Sequence, residues 1–300
     1  MKHYQVGIIG GNGFVATHLI TTIKDLGLSV IVYGRTKPPV IDAVDFVTLD
    51  LLDERLNSRS KIHVDKLIFN SANKGRFADG TKEWIEQGKV SAPDFDLLST
   101  KLNLSFDRLM TIGSSEEYGA RETDLEINES DTLKPISSYG FWKAKLYENG
   151  LHWADAHGAE FIHLRPFNLF AVDGDPQMFL KQIVSNLTQQ KVFKMTAGEQ
   201  YRSFVSIKTL EKVIAALLKK SSWLEFAPSH AINLSEPHYY QLKDVAKILE
   251  AMILGSRVEM GALQYRKDEV WHQKPNLRAI KRLLGEHYQT DFISELKDLL

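Results

Sequence analysis

An apolar run over residues 4–9 stops at Gly10-Gly11-Asn12-Gly13, and residues 14–26 then continue with apolar positions at helical spacing. A strand, a glycine turn and a helix in immediate succession constrain the fold more than any other stretch. Glycine lets the chain turn sharply and approach a neighbouring segment closely. The first N–H groups of the following helix are left unpaired and face outward, which makes a natural seat for a pyrophosphate. The spacing is Gly10-x-x-Gly13-x-x-Ala16, with alanine where a third glycine would allow the closest helix packing.

The pattern then repeats. Residues 29–33 (SVIVY), 45–49 (DFVTL), 66–69 (KLIF), 108–112 (RLMTI) and 160–164 (EFIHL) are short buried-type strands, and helical stretches are expected near 81–90, 93–102 and 137–157. Strand and helix in alternation predict an α/β fold built on a doubly wound parallel sheet. Several runs end in small or polar residues, as Asp50 and Asn70-Ser71-Ala72 do, at the strand ends where such folds bind ligands. Beyond Arg165-Pro166 the alternation weakens. A helix over 177–190, an extended stretch over 198–207, a helix over 207–220 and a strand over 230–234 are expected, the last two returning to the first sheet. The division is therefore 1–165 with 205–235 as a dinucleotide-binding domain, and 166–204 with 236–300 as a smaller substrate-binding portion.

Composition narrows the function. A 300-residue chain with a formal charge of −1 offers no basic field for nucleic acid. It has no cysteine, which removes disulfides, thiol nucleophiles and thiolate metal sites together. The ten histidines show no His-Glu-x-x-His or comparable spacing, so no metal site is read from them. The apolar run before Gly10 is too short for a signal peptide or a membrane span, which leaves a cytoplasmic location as the expectation.

The chemistry points to Ser138-Tyr139-Gly140-Phe141-Trp142-Lys143. On a helix over 137–157, Tyr139 and Lys143 lie four apart on one face. A neighbouring ammonium lowers the pKa of a phenol from about 10 and makes it a usable acid or base for a carbonyl/alcohol couple. Ser114, at the end of the 108–112 strand, would hold the same oxygen. Tyr-x-x-x-Lys occurs three times, at Tyr33/Lys37, Tyr139/Lys143 and Tyr239/Lys243, and only the second follows both a glycine turn and a serine-bearing strand end. Arg35 stands after the second strand where an NAD-preferring site usually has an acid, and a cation there suits the 2′-phosphate of NADP; the bland alternative is a solvated turn residue. No Gly-x-Ser-x-Gly accompanies Ser114, so a hydrolase elbow is not indicated.

Taken in order, Gly10-Gly11-Asn12-Gly13-Phe14-Val15-Ala16, Asp50, Gly113-Ser114-Ser115-Glu116-Glu117-Tyr118-Gly119, the Tyr139 segment, Arg165-Pro166-Phe167-Asn168 and Tyr201-Arg202-Ser203-Phe204-Val205 resemble the extended short-chain dehydrogenase/reductases that act on nucleotide sugars. The resemblance covers nearly the whole chain and implies a Rossmann sheet and a soluble homodimer paired through helices near 81–102 and 137–157. It implies Ser114, Tyr139 and Lys143 as the catalytic set, with Glu116 as a further acid-base group. Gly10, Gly13, Phe14, Val15, Arg35, Asp50, Leu51, Ala72, Lys143 and Arg165 would contact the cofactor, and Ser115, Asn168, Arg202 and Arg266 the substrate, a nucleoside-diphosphate sugar. No metal is implied. Ala16, Asn70-Ser71-Ala72 and Ser203 depart from the family's usual residues.

The segments Thr196-Ala197-Gly198-Glu199-Gln200-Tyr201-Arg202 and 261–269 are similar to short 4-ketoreductases of the CDP-abequose synthase kind. That likeness implies reduction of an NDP-6-deoxy-4-ketohexose at C4 with NADPH. The same core serves a 4-epimerase with tightly held NAD, a 4,6-dehydratase using Glu116, or a protein that binds NADP without turning it over.

Overall fold

The computed structural model describes residues 1–37, 44–51, 60–71, 92–121, 123–288 and 291–300. The expected helix at 81–90 and the cofactor residue Ala72 lie outside them. The first half of the chain runs β1 (Lys2–Ile9), α1 (Phe14–Asp25), β2 (Val30–Gly34), β3 (Asp45–Thr48), β4 (Ile62–Phe69), α2 (Phe95–Leu102), β5 (Leu104–Ile112), a 3-10 turn (Ser115–Tyr118), α3 (Ser138–His157) and β6 (Glu160–Pro166). Then come β7 (Leu169–Phe170), α4 (Phe179–Thr188), β8 (Val192–Lys194), β9 (Tyr201–Ser203), β10 (Val205–Ser206), α5 (Ile207–Leu218) and β11 (Ala231–Leu234). The chain closes with β12 (Tyr239–Gln241), α6 (Leu242–Met252), β13 (Arg257–Glu259), β14 (His272–Gln273), α7 (Arg278–Leu284) and α8 (Phe292–Asp298).

Seven strands form one sheet in the order β11-β6-β5-β4-β1-β2-β3, and every neighbouring pair is parallel. Both faces are covered, as a parallel sheet requires. Leu19, Ile20 and Ile23 of α1 pack on one face with Val213, Ile214 and Leu217 of α5. Phe95, Leu98 and Leu102 of α2 cover the other face with Trp142, Leu146 and Trp153 of α3. Ala16 is fully buried, so the small side chain in the third motif place keeps α1 close to the sheet. The strand order reverses between β1 and β4, and the crevice beyond their C-terminal ends is where an open sheet of this kind binds its ligand.

The smaller portion has its own core, in which Ile183 and Leu187 of α4, Val245 and Leu249 of α6 and Leu296 of α8 meet Phe204 and Phe292. The expected extended stretch 198–207 divides in two. β9 joins β12 and β14, whereas β10 pairs with β7. Helix α5 packs on the main sheet, and β11 pairs with β6 at its edge. β4 and β5 begin four residues earlier than the apolar runs indicate. Their first halves carry His63, Asp65, Ser105 and Asp107, polar residues at the N-terminal edge of the sheet that break the apolar pattern without breaking the strand.

Candidate active site

The glycine turn lies at the strand-order reversal. Gly10 has φ of +97°, and a Cβ there would stand 2.5 Å from the Ser71 backbone nitrogen, so only glycine lets β1 and β4 end this close together. Gly10 and Gly11 N–H both donate to the Tyr33 carbonyl (2.9 and 3.1 Å), and Asn12 donates to Thr36, which ties the turn to the end of β2. Helix α1 begins at Gly13 with no side-chain cap and no acid in its first turn. Its N-terminal N–H groups and positive dipole end therefore suit an anionic pyrophosphate, and the residues present fit a dinucleotide. Phe14 and Val15 open that helix. Arg35 is exposed just past β2, and Asp50 and Leu51 are exposed just past β3, on the same edge of the sheet.

Strand β5 delivers Ser114 to the same edge. Ser114 caps the 3-10 turn in a reciprocal box: its Oγ accepts from the Glu116 N–H (3.2 Å), and its own N–H donates to Glu117 Oε1 (2.7 Å). Helix α3 docks against this turn. Ser137 Oγ caps α3 by accepting from the Gly140 N–H (3.0 Å) and donates to Glu116 Oε2. A Cβ on Gly140 would lie 2.5 Å from the Glu116 carbonyl oxygen. This close approach brings Tyr139 to the Ser114 side chain.

Lys143, one turn on, is fully buried; its Nζ donates to the Ile112 carbonyl (2.5 Å) and lies 5.5 Å from the centre of the Tyr139 ring. Of the three Tyr-x-x-x-Lys copies this alone lies within one helix, since Tyr33 sits in β2 and Tyr239 in β12. The expected effect of the lysine on the tyrosine is not what the structure has. Burial, with the charges of Glu116 and Glu117, raises the Tyr139 pKa, and the Ser114 side chain works in the other direction. Burial also pushes Lys143 down to about 8, against the pull of the Glu117 charge. The lysine Nζ lies over the ring, and the Glu116 and Glu117 charges favour the protonated phenol.

Arg165 corrects another expectation. It is fully buried, donating from Nε to Glu117 Oε2 (2.7 Å) and from Nη1 to the Tyr118 hydroxyl (2.8 Å) and the Glu129 carbonyl (2.9 Å). Its guanidinium also stacks between the Tyr118 and Tyr147 rings, 4.9 and 4.6 Å from their centres. A group so enclosed presents nothing to a cofactor; it anchors the turn from beneath. The residue missed was its partner, Glu117, although Ser114-x-x-Glu117 is itself the spacing of a capping box. Burial works to raise the Glu117 pKa. His163 and Arg165 outweigh it and hold the carboxyl down at about 2. His163 donates from Nε2 to Glu117 (2.9 Å) while its Nδ1 accepts from Thr111. Burial keeps this imidazole below its usual pKa.

The substrate-binding expectations divide. Asn168, at φ of +42°, donates its amide to the Ser203 carbonyl (2.8 Å) and to Gln273 Oε1 (3.0 Å), which joins it to β9 and β14. Arg202, on β9, pairs with Glu269 (3.1 Å) and donates to the Tyr201 carbonyl. Burial, only partly offset by Glu269, lowers its pKa. Both therefore meet the small β12-β9-β14 sheet, Arg202 as part of β9 and Asn168 through its side chain. Arg266 is exposed in a loop, and Ser115 is buried within the 3-10 turn.

Comparison with known proteins agrees with this geometry. Residues 6–225 match the model of the NAD dependent epimerase/dehydratase family. The CDP-abequose synthase of Salmonella typhimurium is 20% identical over all of this chain and 98% of its own length. UDP-glucuronic acid decarboxylase 1 of Xenopus tropicalis is 23% identical over 94% of this chain and 68% of its own. Among solved structures, the UDP-glucuronic acid 4-epimerase of Bacillus cereus, in complex with UDP-glucuronic acid and NAD, superposes with a TM-score of 0.77. It is 16% identical over 100% of this chain and 98% of the other.

Proposed function

The chain belongs to the NAD dependent epimerase/dehydratase family, and we propose that it is the reductase among that family's chemistries, converting the C4 ketone of an NDP-6-deoxy-4-ketohexose to the alcohol with NADPH. What supports this reading is the docking of α3, which carries Tyr139, against the turn headed by Ser114. Reduction of a ketone needs a proton donor at the carbonyl oxygen, whereas the opening oxidation of an epimerase needs an acceptor. Burial and the Glu116 and Glu117 charges raise the Tyr139 pKa, which suits a donor. The dinucleotide, when bound, supplies the hydride for C4. Tyr139 gives its proton to the carbonyl oxygen, and Ser114 orients that oxygen and the departing proton. Lys143 meets the phenolate left behind with positive charge from the ring side.

The uncapped start of α1 and the Gly10 turn would hold the pyrophosphate, Asp50 the adenine side, Lys143 the nicotinamide ribose and Arg35 a 2′-phosphate. Asn168, Arg202 and Arg266 would receive the substrate's diphosphate, for which a guanidinium fork is well shaped. No described helix is long and apolar enough to cross a membrane. A cytoplasmic homodimer paired through α2 and α3 belongs to the same proposal, as does Glu116 acting as a brace for Ser137 rather than as a dehydratase acid.

The test is incubation of the purified protein with NADPH and a panel of 4-keto NDP-sugars. Loss of NADPH in proportion to alcohol formed is the expected result. NAD that survives purification, with C4 inverted and no net redox change, would instead establish the epimerase reading, which the bound NAD of the Bacillus cereus enzyme favours.

A further inference from the structure

At the opposite edge of the main sheet from the glycine turn, β1 and β4 carry an arrangement that nucleotide-sugar chemistry leaves unused. His3 and His63 are direct register partners on these adjacent strands, and their rings stack 5.3 Å apart. Asp65, two residues beyond His63, lies 2.6 Å from His3 Nε2. One nitrogen from each imidazole and one Asp65 oxygen all lie within 4.8 Å of one another. We propose that His3, His63 and Asp65 bind a divalent transition-metal ion of the Zn²⁺ class at the N-terminal edge of the sheet.

The donor set suits such an ion, since imidazole with carboxylate favours zinc, nickel and copper over calcium or magnesium. Zinc bonds of about 2.0–2.1 Å place tetrahedral ligand atoms about 3.3 Å apart, so each donor needs to move by less than about an ångström. The charge also fits. His63 Nε2 faces a second carboxylate, Asp107, at 3.4 Å, while its Nδ1 is 3.0 Å from Ser105 Oγ. Two neutral imidazoles and two carboxylates match a dication, and a carboxylate beside an imidazole ligand is the usual means of orienting it. His3 is 56% exposed and Asp65 36%, so an ion enters directly from solvent and keeps water in its remaining position. The strands bring together histidines sixty residues apart, which is why no sequence spacing reveals them. Because the folded sheet alone assembles the donors, binding would fasten β1 to β4 and raise stability by mass action.

The inference is independent of the proposed reaction. The experiment is calorimetric titration of chelator-stripped full-length protein with Zn²⁺, paired with thermal melts. One equivalent bound, with a rise in Tm, is the expected result for the native chain. His63→Ala and Asp65→Asn should each weaken that equivalent at least tenfold and abolish the rise, with far-UV circular dichroism unchanged. No stoichiometric binding by the native chain, or equal affinity in both variants, overturns the proposal and leaves these groups as ordinary ion pairs. Asp65→Asn keeps shape and polarity and so remains informative if His63→Ala fails to fold.

Discussion

At the scale of the residue, two neighbouring acids show how differently one side chain can be used. Glu116 is exposed and accepts from Ser137, whereas Glu117 is buried against Arg165 and His163. Burial raises the Tyr139 pKa, and the charges of both acids add to it. Tyr139→Phe should lose nearly all turnover, about 10²-fold or more for a lost general acid, while still binding NADPH in a fluorescence titration. Undiminished turnover would remove Tyr139 from the mechanism. Arg35→Asp should weaken NADPH much more than NADH, and equal losses would remove the ground for preferring NADP. Lys143 carries a pH dependence whose sign follows from burial. Its pKa is about 8 when folded against an ordinary value of 10.5, so between those values the unfolded chain binds more protons. Stability due to this group therefore rises with pH across the window, by on the order of 3 kcal/mol. Denaturant unfolding at pH 7.5 and pH 10 should show the native chain gaining on Lys143→Met by that order; a constant difference would mean that the lysine titrates normally.

At the scale of the element, the site depends on one helix touching one turn. Alanine in a helix interior usually stabilises by about 1 kcal/mol relative to glycine. At position 140 the added methyl would meet the Glu116 carbonyl at 2.5 Å, and backbone cannot swing away as a side chain can. Gly140→Ala should therefore destabilise by about 1–3 kcal/mol and separate Tyr139 from Ser114. Chemical denaturation and kcat/KM together check this, and a gain in stability would show that α3 and the turn are not so tightly docked. The sequence displays α3 and its Tyr139/Lys143 face well, because caps and helical spacing are local. That Arg165 belongs under the turn is not local, since β6 meets Glu117 only across the sheet.

At the scale of the whole molecule, the main sheet is completed by a strand that arrives late. β11 lies beyond the smaller portion's first segment yet pairs with β6, and Asn233 on it accepts from Tyr118 and takes the Glu129 carboxylate on its N–H. A chain ended at residue 225 loses this strand, the Ile280 and Leu283 packing of α7 and the bond from Tyr288 to the Ser235 carbonyl. It should expose the β6 edge and fail to give a single cooperative, soluble unfolding transition, measured by circular dichroism and sedimentation. A monomeric two-state fragment would show that the sheet stands without β11.

Short-range pattern alone determined the strand, glycine turn and helix at the N-terminus, the alternation that makes an α/β sheet, and the helix carrying Tyr139 and Lys143, because period, capping and turn chemistry act over a few residues. Tertiary structure decided the strand order, which of three Tyr-x-x-x-Lys pairs meets a serine, the burial of Arg165 and Glu117, and the meeting of His3 with His63. Each of these depends on segments far apart in the chain, and the desolvation and charge they impose on one another raise the pKa of Tyr139.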